Sequence, residues 1–274
     1  MRPTVRRVTS NRRPPLNVTS LRKDLGAPWR HLEVVEETGS TNADLIARAA
    51  AGEDIGDVVL ITEHQTAGRG RMGRSWSAAP RAQITLSVGV RAVDVPVAGW
   101  GWLPLATGVA VVDAIAAVTG VEPGLKWPND VLVGDRKLAG ILAEVAPSET
   151  VIVVGVGVNV TLRPDEIGDP RATSLLELGV QNPDRDVLVA RLLRELGSRI
   201  VDWRDIGGAD AGLIDDYRRR SVTIGNPVRA TLPGGREIIG IARSIDEQGR
   251  LCIESDGETT AVSAGDVVHL RPSL

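Results

Sequence analysis

The densest run of chemically capable side chains is Gly68-Arg69-Gly70-Arg71-Met72-Gly73-Arg74. It sits in a stretch between Glu63 and Asp94 that holds five arginines and no acidic residue. Glycines let backbone amides approach an anion closely, and each guanidinium offers a planar fork of donors that matches phosphate or carboxylate oxygens two at a time. A loop of this composition is too flexible to hold a shape alone, and it is expected to be mobile until it orders around a polyanion such as a nucleoside triphosphate. Arg-Gly arms that bind nucleic acid and plain solvated loops have the same composition, so the loop by itself leaves those readings open. Trp76, just after it, could stack on a base, although an isolated Trp also serves as core.

A second cluster is Lys126-Trp127-Pro128-Asn129-Asp130, eleven residues ahead of Lys137. Only three of the 32 basic residues are lysine, and two of the three lie here. A compact ammonium suits a narrow site where one phosphate or carboxylate oxygen must be neutralised, a task for which the wider guanidinium is awkward. Two solvated edge-strand lysines are the alternative. Asp130 could hold a divalent cation that bridges phosphates, since magnesium takes few protein carboxylates, or it could be a turn residue. In Val154-Gly155-Val156-Gly157-Val158-Asn159-Val160 strand alternation places the valines on one face and Gly155, Gly157 and Asn159 on the other. Two glycines on one strand face point to a ligand or another backbone coming close, with tight helix packing as the alternative. The pattern is not the dinucleotide fingerprint, which needs a third glycine opening a helix. Gly39-Ser40-Thr41-Asn42-Ala43-Asp44 reads first as a helix N-terminus, whose free amides also favour anions and polar ligand heads.

These segments need elements to hold them. Strands are expected at His31–Val35, Val58–Glu63, Ala82–Val90, Leu125–Val133, Lys137–Val145 and Val151–Val160, with Gly134-Asp135-Arg136 turning an antiparallel hairpin. Helices are expected from Ser40, Thr41 or Asn42 to Ala50 and from Val97 to Val118. Another follows an Asn182-Pro183 cap and buries Val189, Leu192, Leu193, Leu196, Ile200 and Trp203, and a short one covers Ala209–Arg219. From Ser221 the character changes to five short strands joined by Gly-rich or acidic turns, the pattern of a small β-barrel.

Composition bounds the rest. At 274 residues the chain can bury a full core and a second small one. One cysteine, Cys252, makes no internal bridge, and three histidines without neighbouring thiols make no zinc site. Gly, Trp and Pro interrupt the apolar stretch from Trp100 to Val118, so no run reaches the roughly 18 to 20 residues of a membrane span, and a cytoplasmic location is expected. Residues 1–30 carry eight basic side chains against one acid, net +7, which leaves 24 against 34, net −10, for the remainder. With four prolines and few apolar residues, 1–30 is expected to be a disordered basic arm rather than a nucleic-acid or targeting segment.

Taken together and in order, Gly39-Ser40-Thr41-Asn42, the run from Glu63 through Arg74, Lys126-Trp127-Pro128-Asn129-Asp130, Arg136 through Glu144, and Gly155-Val156-Gly157-Val158-Asn159 resemble the biotin protein ligases, the biotin-[acetyl-CoA-carboxylase] ligases. The resemblance runs from about His31 to the C-terminus. It implies an α+β fold: a mixed-sheet catalytic domain of the class II synthetase and biotin/lipoate ligase type over 31–220, then a C-terminal SH3-like β-barrel over 221–274. It implies ATP-dependent formation of biotinyl-5'-AMP and transfer of biotin to a lysine of biotin carboxyl carrier domains, with magnesium as cofactor.

By that resemblance Ser40, Thr41, Asn42 and Gln65 surround the ureido head of biotin, and Arg69, Gly70 and Arg71 form a loop that closes over biotin and the adenylate. Lys137 and Arg69 are the catalytic residues, and the backbone near Gly140 meets the biotin carbonyl. Arg71, Trp76, Lys126, Asn129, Gly157 and Asn159 lie near the nucleotide, and Asp130 near the metal. Met72 stands where many relatives have Arg. Some members begin with a DNA-binding helix-turn-helix domain, but only about 30 proline-broken residues precede His31, so a monofunctional enzyme with no DNA and no membrane partner is expected. Lipoate ligases share the fold without the Gly-Arg-Gly-Arg loop or the Lys-Trp-Pro-Asn-Asp run. A nucleic-acid-binding protein is the rival from another class, and the acidic body argues against it.

Overall fold

Alternating and continuous apolar runs build seven strands into one mixed sheet: β1 (His31–Val35), β2 (Val58–Thr62), β3 (Gln83–Arg91), β4 (Gly124–Lys126), β5 (Asp130–Val133), β6 (Arg136–Val145) and β7 (Val151–Asn159). A computed structural model describes residues 13–147, 150–166, 169–232, 235–263 and 266–269. The strand order is β1-β2-β3-β7-β6-β5-β4; β1 and β2 run parallel, joined through helix α2 (Thr41–Ala50), and the other neighbours are antiparallel. Both faces of the central strands are covered, so β2 is buried along its whole length. On one face Val59, Ile61, Val154, Val156 and Val158 join the main core; on the other, Val58, Leu60, Val151 and Val153 pack beneath Leu45 of α2. α2 covers only one end of that second face. Beyond Val153 the same side of β7 presents Gly155, Gly157 and Asn159, and there the cavity opens.

The main-core face is covered by α3 (Leu103–Thr119) and α4 (Arg185–Ile206), with α5 (Ala211–Arg220) alongside. α3 is apolar on all sides and almost wholly buried, as expected of a helix enclosed by sheet and helices. With the 3-10 turn Val97–Trp102 that leads into it, this segment is long and apolar enough to cross a membrane, yet 67% of its most apolar stretch is buried within the fold. Gly120 closes the helix in the left-handed conformation, at φ 71°.

Several expectations are corrected. Leu125–Val133 is not one strand: Pro128 has no N–H for a ladder, and Trp127-Pro128-Asn129 turns between β4 and β5, which pair Lys126 with Asp130. α4 is capped by Asp184 rather than Asn182, its carboxylate accepting the amides of Asp186 and Val187. Within the expected disordered arm, residues 1–12 lie outside the described residues, but 13–30 pack onto the domain. A short helix, α1 (Val18–Lys23), buries Leu21, and Leu16 and Trp29 join the main core. Trp29 Nε1 donates to the Leu193 carbonyl at 2.8 Å, and Arg13 grips Thr161 and Glu166. Composition averaged over 30 residues concealed three apolar anchors at useful spacing.

The expected C-terminal barrel is also overturned. All five strands form: β8 (Pro227–Thr231), β9 (Glu237–Ile245), β10 (Leu251–Ser255), β11 (Glu258–Val262) and β12 (Asp266–His269). They make an open antiparallel sheet in the order β11-β10-β9-β8-β12, in which β11 pairs with β10 and β12 with β8 but not with each other. Closure would require those two edges to meet. The apolar face is covered by the larger domain instead. Val228, Ala230, Ala242, Leu251, Ile253 and Val267 belong to the main core, and Trp102 and Trp127 donate their indole N–H groups to the carbonyls of Asp246 and Gly249. The second small core lies under α2, not in this sheet.

Candidate active site

The cavity floor is a set of cross-strand rows. Thr85 on β3 faces Gly157 on β7, Gly157 faces Gly140 on β6, and Gly140 faces Asp130 on β5; beside that row run Ser87, Gly155 and Leu142, and Gln83 opposite Asn159. Small or polar residues on four neighbouring strands therefore hollow out one patch of an otherwise apolar sheet, and the space above it measures about 920 Å³. The two glycines of β7 are bare for identifiable reasons. A Cβ on Gly155 would run into the Asn42 amide, and one on Gly157 would lie 2.5 Å from the Trp76 ring.

At one end, the first turn of α2 buries three polar residues: Ser40 at 5%, Thr41 at 2% and Asn42 at 3% exposure. Each has partners, as burial demands. Ser40 caps the helix through the amide of Ala43. The Thr41 amide donates to Gln65 Oε1 at 2.9 Å. The Ser87 hydroxyl donates to Asn42 Oδ1 at 2.6 Å and lies as close to the Thr41 hydroxyl. Asn42 Nδ2 donates to the Leu142 carbonyl and to Glu144 Oε2 at 2.8 Å, and the other Glu144 oxygen is 3.6 Å from Arg69.

The Arg-Gly segment forms the mouth. It is a tight hairpin rather than a shapeless loop: the Gly70 amide donates to the Arg74 carbonyl, Trp76 to Gly68, and Arg69 bridges Ser75. Met72 sits at its tip in the left-handed region, at φ 55°, and is 71% exposed. Trp76 returns the chain to the floor over Gly157 and Gly140, with its Nε1 buried and without a hydrogen-bond partner.

At the centre stands Lys137. Its backbone is fixed by residues 171–173, with its amide donating to the Arg171 carbonyl and its carbonyl accepting from Thr173. Its ammonium lies 2.5 Å from Asp130 Oδ1 and 5.4 Å from the Trp76 ring centre. The far end is formed by Lys126, Asn129, Asn159 and the C-terminal sheet. Asn129 Nδ2 donates to the Ile141 carbonyl, tying the turn to β6. The Thr223 hydroxyl accepts the Trp127 amide and lies 3.1 Å from His269 Nε2. Burial, with the nearby Lys126 charge, holds the His269 imidazole below its ordinary value.

The unfolded chain protonates the His269 imidazole near pH 6.5, above the folded value, so this contribution to stability is present above about 6.5 and is lost as pH falls toward the folded value. Unfolding midpoints of the parent are therefore expected to fall more steeply over that window than those of His269→Gln. Parallel slopes would contradict this.

Every residue singled out from the sequence lines this one cavity: Ser40, Thr41, Asn42, Gln65, Arg69, Gly70, Arg71, Trp76, Lys126, Asn129, Asp130, Lys137, Gly140, Gly157 and Asn159. Sequence reasoning missed Ser87, Glu144, Gln83 and His269. The first and third had a readable signal, since Gln83, Thr85 and Ser87 alternate with Ile84, Leu86 and Val88, and a polar alternation on a central strand is a buried polar face. Glu144 and His269 had none, because their partners lie 102 and 46 residues away.

Residues 48–160 match the biotin/lipoate A/B protein ligase family, and residues 223–270 match the biotin protein ligase C terminal domain. The fold is thus that of the biotin and lipoate ligase class. The chain is 62% identical over 265 residues to a biotin--[acetyl-CoA-carboxylase] ligase of Mycobacterium tuberculosis, covering 94% of this chain and 97% of that protein. It is 33% identical over 241 residues to the bifunctional ligase/repressor BirA of Escherichia coli, covering 86% of this chain and 72% of that one. The structure of biotin protein ligase from Aquifex aeolicus in complex with biotin and ATP superposes with a TM-score of 0.76 at 24% identity, covering 89% of this chain and all of that one. Within the class, the chain belongs to the biotin protein ligase family.

Proposed function

We propose that this cavity binds biotin and ATP side by side, joins them as biotinyl-5'-AMP, and passes the biotinyl group to a lysine of a biotin carboxyl carrier domain. The enzyme is a biotin-[biotin carboxyl carrier protein] ligase. A biotin carboxylate oxygen attacks the α-phosphorus of ATP, and the bond to the departing pyrophosphate breaks. The carrier lysine's amine then attacks the acyl carbon, AMP leaves with the bonding pair, and the nitrogen loses a proton. A free carboxylate is a poor electrophile for an amine, and adenylation supplies the leaving group.

The observation that carries this reading is the place of Lys137, an ammonium in the middle of the floor between a polar end and a nucleotide end. The polar end, Ser40 to Asn42 with Gln65, suits the ureido head. Lys126, Asn129, Asn159 and the unpartnered Nε1 of Trp76 suit the nucleotide. Lys137 offsets charge between carboxylate and α-phosphate, the kind of stabilisation that dominates such steps. Arg69, Gly70 and Arg71 cover the mixed anhydride and keep water from it. Asp130, a cavity carboxylate beside Lys137, would hold a magnesium ion carried by ATP, and the ion would offset phosphate charge.

Incubation with ATP, magnesium, biotin and a carrier domain is expected to place biotin on one carrier lysine, detected by streptavidin binding. A carrier left unlabelled would refute the transfer step. Arg71→Ala is expected to speed escape of the adenylate, measured by its retention on gel filtration, and parent-like retention would refute the lid role. Gly157→Ala pushes a methyl group against Trp76 and is expected to weaken ATP binding about tenfold. Parent-like affinity in calorimetry would contradict that.

A further inference from the structure

One buried hydrogen-bond chain beneath the floor is used by none of the roles above. Glu63 and Arg185 are paired at 2.6 Å, with side chains only 3% and 7% exposed. The other Glu63 oxygen accepts the Leu16 amide at 2.6 Å, and Arg185 Nη2 donates to the Pro14 carbonyl at 2.7 Å, so residues 14–16 close the pair from outside. Arg185 Nη1 also donates to the backbone carbonyl of Gln83 at 3.2 Å. From there the chain turns toward the cavity, where Gln83 Nε2 donates to Asn159 Oδ1 at 2.7 Å.

The direction of that bond is forced. Asn159 faces the Thr173 carbonyl at 2.8 Å, and a carbonyl only accepts, so the Asn159 nitrogen points there and its oxygen points to Gln83. Gln83 must therefore present its NH2 group. The Asn159 nitrogen stays held by the Thr173 and Lys137 carbonyls, but without the Gln83 donor its buried oxygen is left unpaired.

We propose that Gln83 is a positioning residue for nucleotide binding. Its backbone is anchored by the buried Glu63–Arg185 pair, and its side chain supplies the donor that pairs the Asn159 oxygen and holds that side chain in place at the nucleotide end. Segment 14–16 is then part of the active-site scaffold. This rests on the placement of Asn159 at the nucleotide end.

The test uses the full chain and four variants: Gln83→Glu, which keeps the shape but cannot donate when ionised; Gln83→Met, which keeps the bulk and lacks both polar groups; Asn159→Ala; and the double variant Gln83→Met with Asn159→Ala. Calorimetry reads the affinity for a nonhydrolysable ATP analogue and, separately, for biotin. Each Gln83 variant is expected to weaken the ATP analogue about tenfold, the worth of one bond to a buried polar group, with biotin affinity within about twofold of the parent. The double variant is expected to bind the analogue no more weakly than Asn159→Ala alone. If Gln83→Glu folds poorly because of its buried charge, Gln83→Met decides. Parent-like analogue binding by Gln83→Met, equal weakening of both ligands, or an additive double variant would overturn the positioning role while Asn159→Ala still weakens the analogue. If Asn159→Ala binds the analogue like the parent, the nucleotide assignment fails and the positioning role falls with it.

Discussion

Lys137→Ala is expected to lower the rate of biotinyl-5'-AMP formation by about 10²–10³, the usual cost of removing one preorganised donor from a developing charge. The reason is its position. Residues 171–173 fix its backbone, the bare floor at Gly140 leaves room above it, and its side chain ends within 3.2 Å of where a Gly140 Cβ would lie. The ammonium thus stands on the row that joins Thr85, Gly157, Gly140 and Asp130. Lys126 continues that row on β4, opposite Asp130. Its charge is matched by Asp130 at 2.5 Å, and the truncation leaves that carboxylate, 19% exposed, in contact with water rather than stranded, so the fold is expected to survive. Single-turnover formation of the adenylate measures the first quantity and thermal unfolding the second. Unchanged turnover, or loss of the fold, would refute the assigned role. Lys137→Arg is expected to rescue little, because a wide planar fork replaces the compact point charge that Lys137 places beside Asp130.

Arg185→Ala carries the largest expected effect on stability. Removing one member of a buried ion pair leaves the other charge without compensation, at a cost of about 3–5 kcal/mol. Here the stranded group is Glu63, 3% exposed in its side chain, and the same truncation removes the donors to the Pro14 and Gln83 carbonyls. At about 2–4 °C per kcal/mol for a chain of this size, the unfolding midpoint is expected to drop by roughly 10 °C. Replacing both partners with methionine removes the stranded charge and is expected to recover most of that loss. A midpoint within about 2 °C of the parent for the single variant would contradict the buried-pair account.

Much of the cavity's lining was legible because it uses residue types that are costly elsewhere. Glycines interrupting a central strand, an acid-free run of arginines and two lysines in a chain that otherwise uses arginine each departed from what a plain scaffold would choose. The strands were readable from alternation, including the five of the C-terminal sheet. Whether that sheet closed was not, since short strands and turns do not report whether β11 meets β12, and the sheet's apolar face is covered instead by Trp102, Trp127 and their neighbours. The 13–30 segment failed for a related reason. Leu16, Leu21 and Trp29 are few, but each fits a place prepared by residues far along the chain, and composition does not report that. Ser87 and Glu144 show the same limit inside the cavity, where a residue gains its role from a partner across the sheet.

Activation of biotin in this one cavity is read by incubating the protein with ATP, magnesium and either biotin or lipoate, then examining the bound fraction by mass spectrometry. Biotinyl-5'-AMP with biotin, and little or no lipoyl adenylate, is the expected result. No adenylate with biotin, or equal amounts from the two acids, would contradict it.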